Sequence, residues 1–329
     1  MKAITVTTPG GPQALALADL PLPEPGPGAV RVRAHAIGVG RPDVLIRQGT
    51  YKWMPPLPAI PGNELAGVVE AIGPGVRDVA IGDRVLLSAR ELPQRGGCYA
   101  DCACAPAEAL YALPASIGFD AAVSLPNFQL AQALLFGCGS AAPVRSVLIT
   151  AAAGGVASAM VQTARAHGLQ VLTTASTEAK RAFALHQGAM AALDPASPDL
   201  AEQVKALTPG RGVDLALDPT GGPLFIACLH ALAPLGLAVS YNILGGMPPD
   251  VFGVLRQLLG RSLAVRTFSM HSFDVDAARR RGLMHDAIAL MASGAVQPPP
   301  TTTLPLADAR RAHELLDEPG FTGKLVLHP

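Results

Sequence analysis

The spacing of apolar and polar positions changes rhythm once along this chain. Up to about residue 124, apolar runs are short: 3–6, 30–36 and 65–72 are separated by Pro and Gly turns. The stretch Pro21-Leu22-Pro23-Glu24-Pro25-Gly26-Pro27-Gly28 lacks the backbone donors a helix or central strand needs, which makes it a surface connector. Gly73-Pro74-Gly75 and Ile81-Gly82-Asp83 are turn signals between strands. This first part reads as β-rich. From about residue 121 longer segments alternate. A helix is expected over 128–136, then strand 146–150, a helix from about 156 to 167 stopped by Gly168, strand 170–175 and helix 178–187. A short strand near 191–193, helix 200–207, strand 213–218, helix 223–233, strand 237–241 and strand 263–268 follow. A basic-apolar helix is expected at about 276–291, and the tail 304–327 reads as a helix plus a last strand, 324–327. Such alternation predicts an α/β fold with a mostly parallel, doubly wound sheet and right-handed crossovers.

Within that second part, Leu148-Ile149-Thr150-Ala151-Ala152-Ala153-Gly154-Gly155-Val156-Ala157-Ser158 carries the most chemistry. An apolar strand runs into small residues and then a helix. Small residues let the backbone approach a dinucleotide diphosphate, and the helix N-terminus offers free N–H groups and a positive dipole end. Ala153, Gly154, Gly155 and Val156 are therefore candidate cofactor-binding residues. NAD enzymes place an Asp or Glu at the tip of the next strand, about 20 residues on, to hold the ribose hydroxyls. Here the tip reads Thr173-Thr174-Ala175-Ser176, with Lys180 and Arg181 beyond it. Ser176 and Lys180 can meet a 2′-phosphate, which favours NADPH over NADH. In the alternative, Ser176 caps the helix and Lys180 is a solvated surface lysine; both can hold together.

Composition narrows the classes. The chain has 329 residues, half of them apolar, long enough for two domains with cores of their own. Lys and Arg number 25 and so do Asp and Glu, with no basic stripe, which argues against nucleic acid as the main partner. No charged start followed by an apolar run suggests a signal peptide. The uncharged window 146–164 is long enough to raise a membrane span, but its Gly pair, Gln162, Ser and Thr favour a buried strand plus helix. Five cysteines are an odd number for a disulfide framework and fit a reducing compartment, here the cytoplasm. Cys98, Cys102 and Cys104 cluster without the second pair a structural zinc needs, so buried thiols are expected and no metal.

In order along the chain, these fragments resemble the medium-chain dehydrogenase/reductase superfamily, in particular its zinc-independent quinone oxidoreductase, zeta-crystallin-like, branch. The resemblance rests on Met1-Lys2-Ala3-Ile4, Gly10-Gly11-Pro12, Pro23 to Gly28 and Ile46-Arg47-Gln48-Gly49-Thr50-Tyr51. It continues through Pro58-Ala59-Ile60-Pro61-Gly62-Asn63-Glu64-Leu65-Ala66-Gly67-Val68-Val69 and Val79-Ala80-Ile81-Gly82-Asp83-Arg84-Val85. Ala151-Ala152-Ala153-Gly154-Gly155-Val156 and the ending Gly323-Lys324-Leu325-Val326-Leu327 complete it. It implies a GroES-like catalytic domain, 1–124 completed by the tail 270–329, and a Rossmann NADP-binding domain, 125–269. Substrate and nicotinamide would meet in the cleft between them, and a homodimer would join through Rossmann sheet edges, with 263–268 a candidate edge. Zinc-dependent relatives have His-Glu where this chain has Asn63-Glu64, and Cys where it has Gly40. An amide and a glycine cannot replace an imidazole and a thiolate on zinc.

The resemblance assigns Tyr51 to the substrate cleft, where its phenol could bond a carbonyl; a purely structural tyrosine is the alternative. Asn63 could orient substrate or merely satisfy backbone groups. Tyr241 and Asn242 end a parallel strand, where the resemblance suggests cofactor contact. Asn127, Asp218 and Lys324 join the cofactor-binding candidates, Asp218 by shaping its loop rather than as a base. Departures from the family pattern are Gly40 for Asn, Leu45 for Tyr, and Ala131 for a Thr near the nicotinamide amide; Asn127 and Gln129 could compensate. The reading is an NADPH-dependent reductase passing hydride to quinones or other conjugated carbonyl compounds, without metal. Alternatives are a 2-enoyl thioester reductase and an NADPH-binding protein with little turnover.

Overall fold

The computed structural model describes every residue except Pro319. It divides into two compact units, 1–126 with 298–329, and 127–297.

The first unit opens with β1 (Lys2–Thr5) and β2 (Ala16–Asp19), an antiparallel pair. Then come β3 (Ala29–Val39), α1 (Arg41–Arg47), β4 (Glu64–Ile72), β5 (Arg84–Ser88), β6 (Cys102–Pro106), β7 (Leu110–Ala112) and α2 (Phe119–Ala122). Burial along β3 alternates from Ala29 to His35 and then becomes continuous, as a strand covered first on one face and then on both requires. Val30, Val32, Leu65, Val85 and Leu87 share a core with Leu325 and Leu327 from the far end of the chain.

The second unit begins inside α3 (Leu125–Phe136) and continues with β8 (Ser146–Ile149), α4 (Gly155–Ala166), β9 (Gln170–Thr174), α5 (Glu178–His186) and β10 (Ala191–Leu193). It goes on through α6 (Leu200–Leu207), β11 (Val213–Asp218), α7 (Gly222–Ala231), β12 (Leu232–Ser240), α8 (Val251–Gln257), β13 (Ala264–Thr267) and α9 (Ala277–Ala292). Its described strands pair in the order β10-β9-β8-β11-β12-β13, all parallel. This is the doubly wound sheet expected, with the reversal of winding at β8. β8 is buried along its whole length, which explains its unbroken apolar run.

The chain then returns to the first unit with β14 (Thr301–Pro305), α10 (Ala309–Asp317) and β15 (Lys324–His328). β15 lies between β14 and β3, giving the order β14-β15-β3-β4-β5-β7, with β6 paired to β3.

The expected domain boundary moves. Residues 270–297 belong with the parallel sheet, not with the first unit. The cause is packing: Met270 and Phe273 form a core with Ala133, Leu283 packs against it, and Gln129 Nε2 donates to the Arg280 carbonyl at 2.9 Å. Sequence patterning also missed α1, α2, α8 and β14, and started the strand expected over 237–241 too late. β12 runs from Leu232 because Leu235, at φ 63°, admits an irregularity rather than a turn.

Candidate active site

The small-residue bend after β8 is built by three constraints. Thr150 Oγ1 donates to Asp218 Oδ1, and the Ala152 N–H donates to the Thr174 carbonyl at 3.0 Å, which pins the bend to both neighbouring strands. Ala151 sits at φ 54°, a left-handed conformation that costs an alanine about 1 kcal/mol. Gly154 precedes α4 with no side-chain cap, so the first N–H groups of the helix are not taken up by a cap. A Cβ placed on Gly154 would meet nothing nearer than the Ala151 carbonyl at 3.8 Å. Internal packing therefore does not demand glycine here. The glycine leads into the anion-attracting end of a twelve-residue helix.

At the tip of β9 the cap is Thr177, whose Oγ1 accepts the Lys180 N–H at 3.3 Å. The expectation that Ser176 might serve as cap is thereby corrected: the helix starts one residue later than that role needs, and Ser176 is an exposed residue at the tip. Lys180 occupies the first turn of α5, and Arg181 Nη1 donates to the Ala175 carbonyl at 3.0 Å, holding a guanidinium at the strand end.

Asp218 and Gln129 are turned inward. Asp218 is fully buried, taking Thr150 Oγ1 on one oxygen and the Gly221 N–H at 2.6 Å on the other. Burial raises its carboxyl, and those hydrogen bonds oppose the rise. It braces two loops, the loop-shaping role expected of it. Gln129 is equally buried, and its Nε2 donates to the Arg280 carbonyl at 2.9 Å. Asn127 and Tyr241 are half-buried; Asn242 is exposed, its Oδ1 accepting the Ile243 N–H at 2.8 Å.

In the first unit, a buried carboxylate that sequence reading passed over organises Asn63. Asp43, on α1, accepts Asn63 Nδ2 at 2.7 Å and the Gly62 N–H at 3.2 Å on one oxygen, and the Gly40 N–H at 2.8 Å on the other. Burial pushes the Asp43 carboxyl up to about 7; the Asn63 bond works against this and the charge of Glu64 adds to it. Beside it Lys324 is ion-paired to Glu64, with both side chains largely buried. The ammonium is thus engaged within its own sheet.

A hydrogen-bonded chain runs behind Asp43. Arg47 Nη1 can only donate, so His313 Nδ1 accepts it at 3.3 Å and Nε2–H donates to the Tyr99 hydroxyl oxygen at 3.0 Å. Burial raises the Tyr99 phenol well above its ordinary value, and the charge of Asp43 adds to the rise. Burial, reinforced by Arg47, lowers the imidazole to about 4. Tyr51 is half-buried against Trp53, ring centroids 5.7 Å apart; burial raises its phenol, and the charges of Arg95 and Arg90 oppose the rise.

The family model of zinc-binding dehydrogenases matches residues 155–290, and that of the GroES-like domain of alcohol dehydrogenases matches 26–115. The rat quinone oxidoreductase is 32% identical over 334 residues, covering 99% of this chain and 97% of its own. The chain belongs to the quinone oxidoreductase-like proteins of the medium-chain dehydrogenase/reductase superfamily. The human synaptic vesicle membrane protein VAT-1 homolog is 32% identical over 89% of this chain and 77% of its own. A solved structure, the Escherichia coli quinone oxidoreductase complexed with NADPH, superimposes at TM-score 0.86 with 30% identity over the whole of both chains. The GroES-like and Rossmann architecture read from the sequence is thus shown.

Not every member of this superfamily can hold a catalytic zinc, and the donors here do not fit one. Asn63 is committed to Asp43, and Gly40 has no side chain. Among the described residues, no group of three or more His, Cys, Asp or Glu side chains stands close enough to hold a metal. Nor, among them, is any helix long and apolar enough to cross a membrane.

Proposed function

We propose that this chain is an NADPH-dependent, metal-independent reductase that passes hydride to quinones or other conjugated carbonyl compounds in the cytoplasm. The observation that carries the reading is the uncapped, glycine-led start of α4 after a strained bend, with Ser176, Lys180 and Arg181 rather than an acid at the neighbouring strand tip. Gly154, Gly155 and Val156 receive the diphosphate beside Ala153, and Ser176 and Lys180 receive the 2′-phosphate. Asn127, Tyr241 and Asn242 complete the cofactor contacts; Lys324, expected among them, is held by Glu64 instead. NADPH, once bound, supplies the hydride. Tyr51 and Asn63 serve the acceptor: the Tyr51 phenol donates to its carbonyl oxygen, and Asn63, held by Asp43, presents a fixed amide. Solvent supplies the proton.

The test is a titration of NADPH fluorescence against NADH, followed by a turnover screen with quinones and alkenals. Tighter binding of NADPH with turnover on some of these acceptors supports the reading. Preference for NADH, or no binding, refutes it. A second reading, an NADPH-binding protein with little turnover, is favoured by Gly40, Leu45 and Ala131 together with the inward commitment of Gln129. It predicts tight NADPH binding and no reduced acceptor.

We also propose a homodimer through β13. This strand ends the sheet and is exposed at every position, and Leu244, Met247, Phe252 and Leu259 of the same unit are exposed as well. Sedimentation equilibrium of the wild type and of Val265→Arg tests it; a monomeric wild type refutes it.

A further inference from the structure

Asn63 carries a polar atom that the fold does not use. The residue is only 9% exposed, and its Nδ2 donates to Asp43 Oδ1 at 2.7 Å. Among the described residues no group donates to its Oδ1, and that oxygen keeps accessible surface. The amide is therefore one-sided, its donor turned in and its acceptor turned out. The backbone beneath it is held: the Ala89 N–H donates to the Asn63 carbonyl at 2.8 Å, the Cys98 N–H to the Gly62 carbonyl at 3.2 Å, and the Tyr99 N–H to the Pro61 carbonyl at 2.9 Å. Only a flip of the side-chain amide could exchange its two ends.

Asp43 opposes that flip. It is buried itself, and the Asn63 amide shares one of its oxygens with the Gly62 N–H, while the Gly40 N–H takes the other. An ionised carboxylate only accepts, so the end of the amide that faces it is the nitrogen. A turned amide would set oxygen against oxygen and lose a charge-assisted bond. What Asn63 offers outward is then a lone pair. It is the complement of the donor that Tyr51 supplies to the acceptor carbonyl in the reading above.

We propose that Asp43 is a positioning residue that turns the Asn63 amide oxygen outward, and that this oxygen selects conjugated carbonyl acceptors carrying a hydroxyl. This rests on the reductase reading above and names a feature of its substrates. A hydroxyl satisfies the oxygen, whereas an ether in its place covers the oxygen and leaves it unpaired. In the reduction the β-carbon gains the hydride and the neighbouring carbon a proton from water, the double bond between them becomes single, NADPH becomes NADP+, and the hydroxyl is unchanged.

The only asparagines of the chain are Asn63, Asn127 and Asn242, so nitrogen-isotope labelling of asparagine reads the amide by NMR without turnover. At about pH 8, above the Asp43 value of about 7, the carboxylate is ionised. One Asn63 Nδ2 proton should then lie downfield and exchange slowly with water, and in Asp43→Ala it should move to the position of a solvated amide. Fast exchange of both protons in the wild type shows the nitrogen turned outward and overturns the proposal. Under the same conditions kcat/KM is measured for para-(hydroxymethyl)cinnamaldehyde against its methyl ether, and for γ-hydroxynonenal against its methyl ether. At least one hydroxyl compound should be preferred by about tenfold or more. Asn63→Ala should abolish the preference, and Asp43→Ala should reduce it at least about threefold, whereas a merely structural role would lower both members of a pair alike. Equal kcat/KM within both pairs in the wild type sinks the substrate feature and leaves the reductase standing. An inward-held amide with no acceptor reduced keeps the positioning role and sinks the reductase instead. The wild-type measurements decide the matter even where a variant fails to fold.

Discussion

Asp43 offers the sharpest test of the catalytic-unit geometry. It is buried, and its carboxyl is pushed from the ordinary 3.8 up to about 7. Between those values the folded chain keeps a proton that the unfolded chain has released. The stability this group contributes is full below about pH 4 and is lost as pH rises through about 7. At about 1.4 kcal/mol per tenfold change in proton affinity, the loss is roughly 4 kcal/mol, an upper figure. Asp43→Asn has no such proton. Its absolute stability drops, because one amide oxygen cannot accept from Asn63, Gly62 and Gly40 as two carboxylate oxygens do. Its pH dependence is what matters. Urea unfolding of wild type and variant at a series of pH values from about 4 to about 8 gives the difference, in which all other titrations cancel. Wild-type stability should fall relative to the variant by several kcal/mol across that range. Two curves that stay parallel within about 0.5 kcal/mol would show that Asp43 is ionised throughout and the burial argument wrong.

Four further outcomes are expected. His313, held down to about 4 from 6.5, has the opposite sign: its contribution is present above pH 6.5 and lost as pH falls through about 4, so His313→Gln should lose roughly 3 kcal/mol less than wild type on acidification, read by the same unfolding series. Lys180→Ala should weaken NADPH by tenfold or more and NADH little in a fluorescence titration; equal effects refute a phosphate role. Thr177→Ala should lower stability by about 1 kcal/mol through the lost cap with NADPH affinity kept, and Ser176→Ala should do the reverse. Gly40→Asn should be tolerated, because φ is −148° and a Cβ there meets Pro42 Cδ at 3.5 Å, whereas Gly62→Ala should cost about 3 kcal/mol or more, since φ is 101° and its Cβ would fall 2.5 Å from Tyr99; thermal unfolding separates the two.

The sheet of the second unit was legible because a parallel strand buried on both faces leaves an unbroken apolar run, as 146–149 does. The bend after it was legible because close backbone approach admits few residue types, and a run of small ones is a narrow signal. Other features leave no pattern. Asp43 is one acid among 25 acidic residues, and nothing along the chain marks it as buried. A helix cap moves by one residue with the helix start, so Ser176 and Thr177 could not be told apart by spacing. The boundary at 298 depends on Gln129 meeting Arg280, far apart along the chain, and a helix pattern does not name the surface it packs on.

The position of β15 between β14 and β3 has a consequence for synthesis. The middle of the chain holds every described strand of the parallel sheet and can close it during translation. The earlier antiparallel sheet must wait, with the flank of β3 open, until β15 has been made. Loss of β15 would therefore strip an interior strand from a unit built mostly from residues 1–126, and pulse-labelled nascent chains should stay protease-sensitive in that portion until β15 has been made.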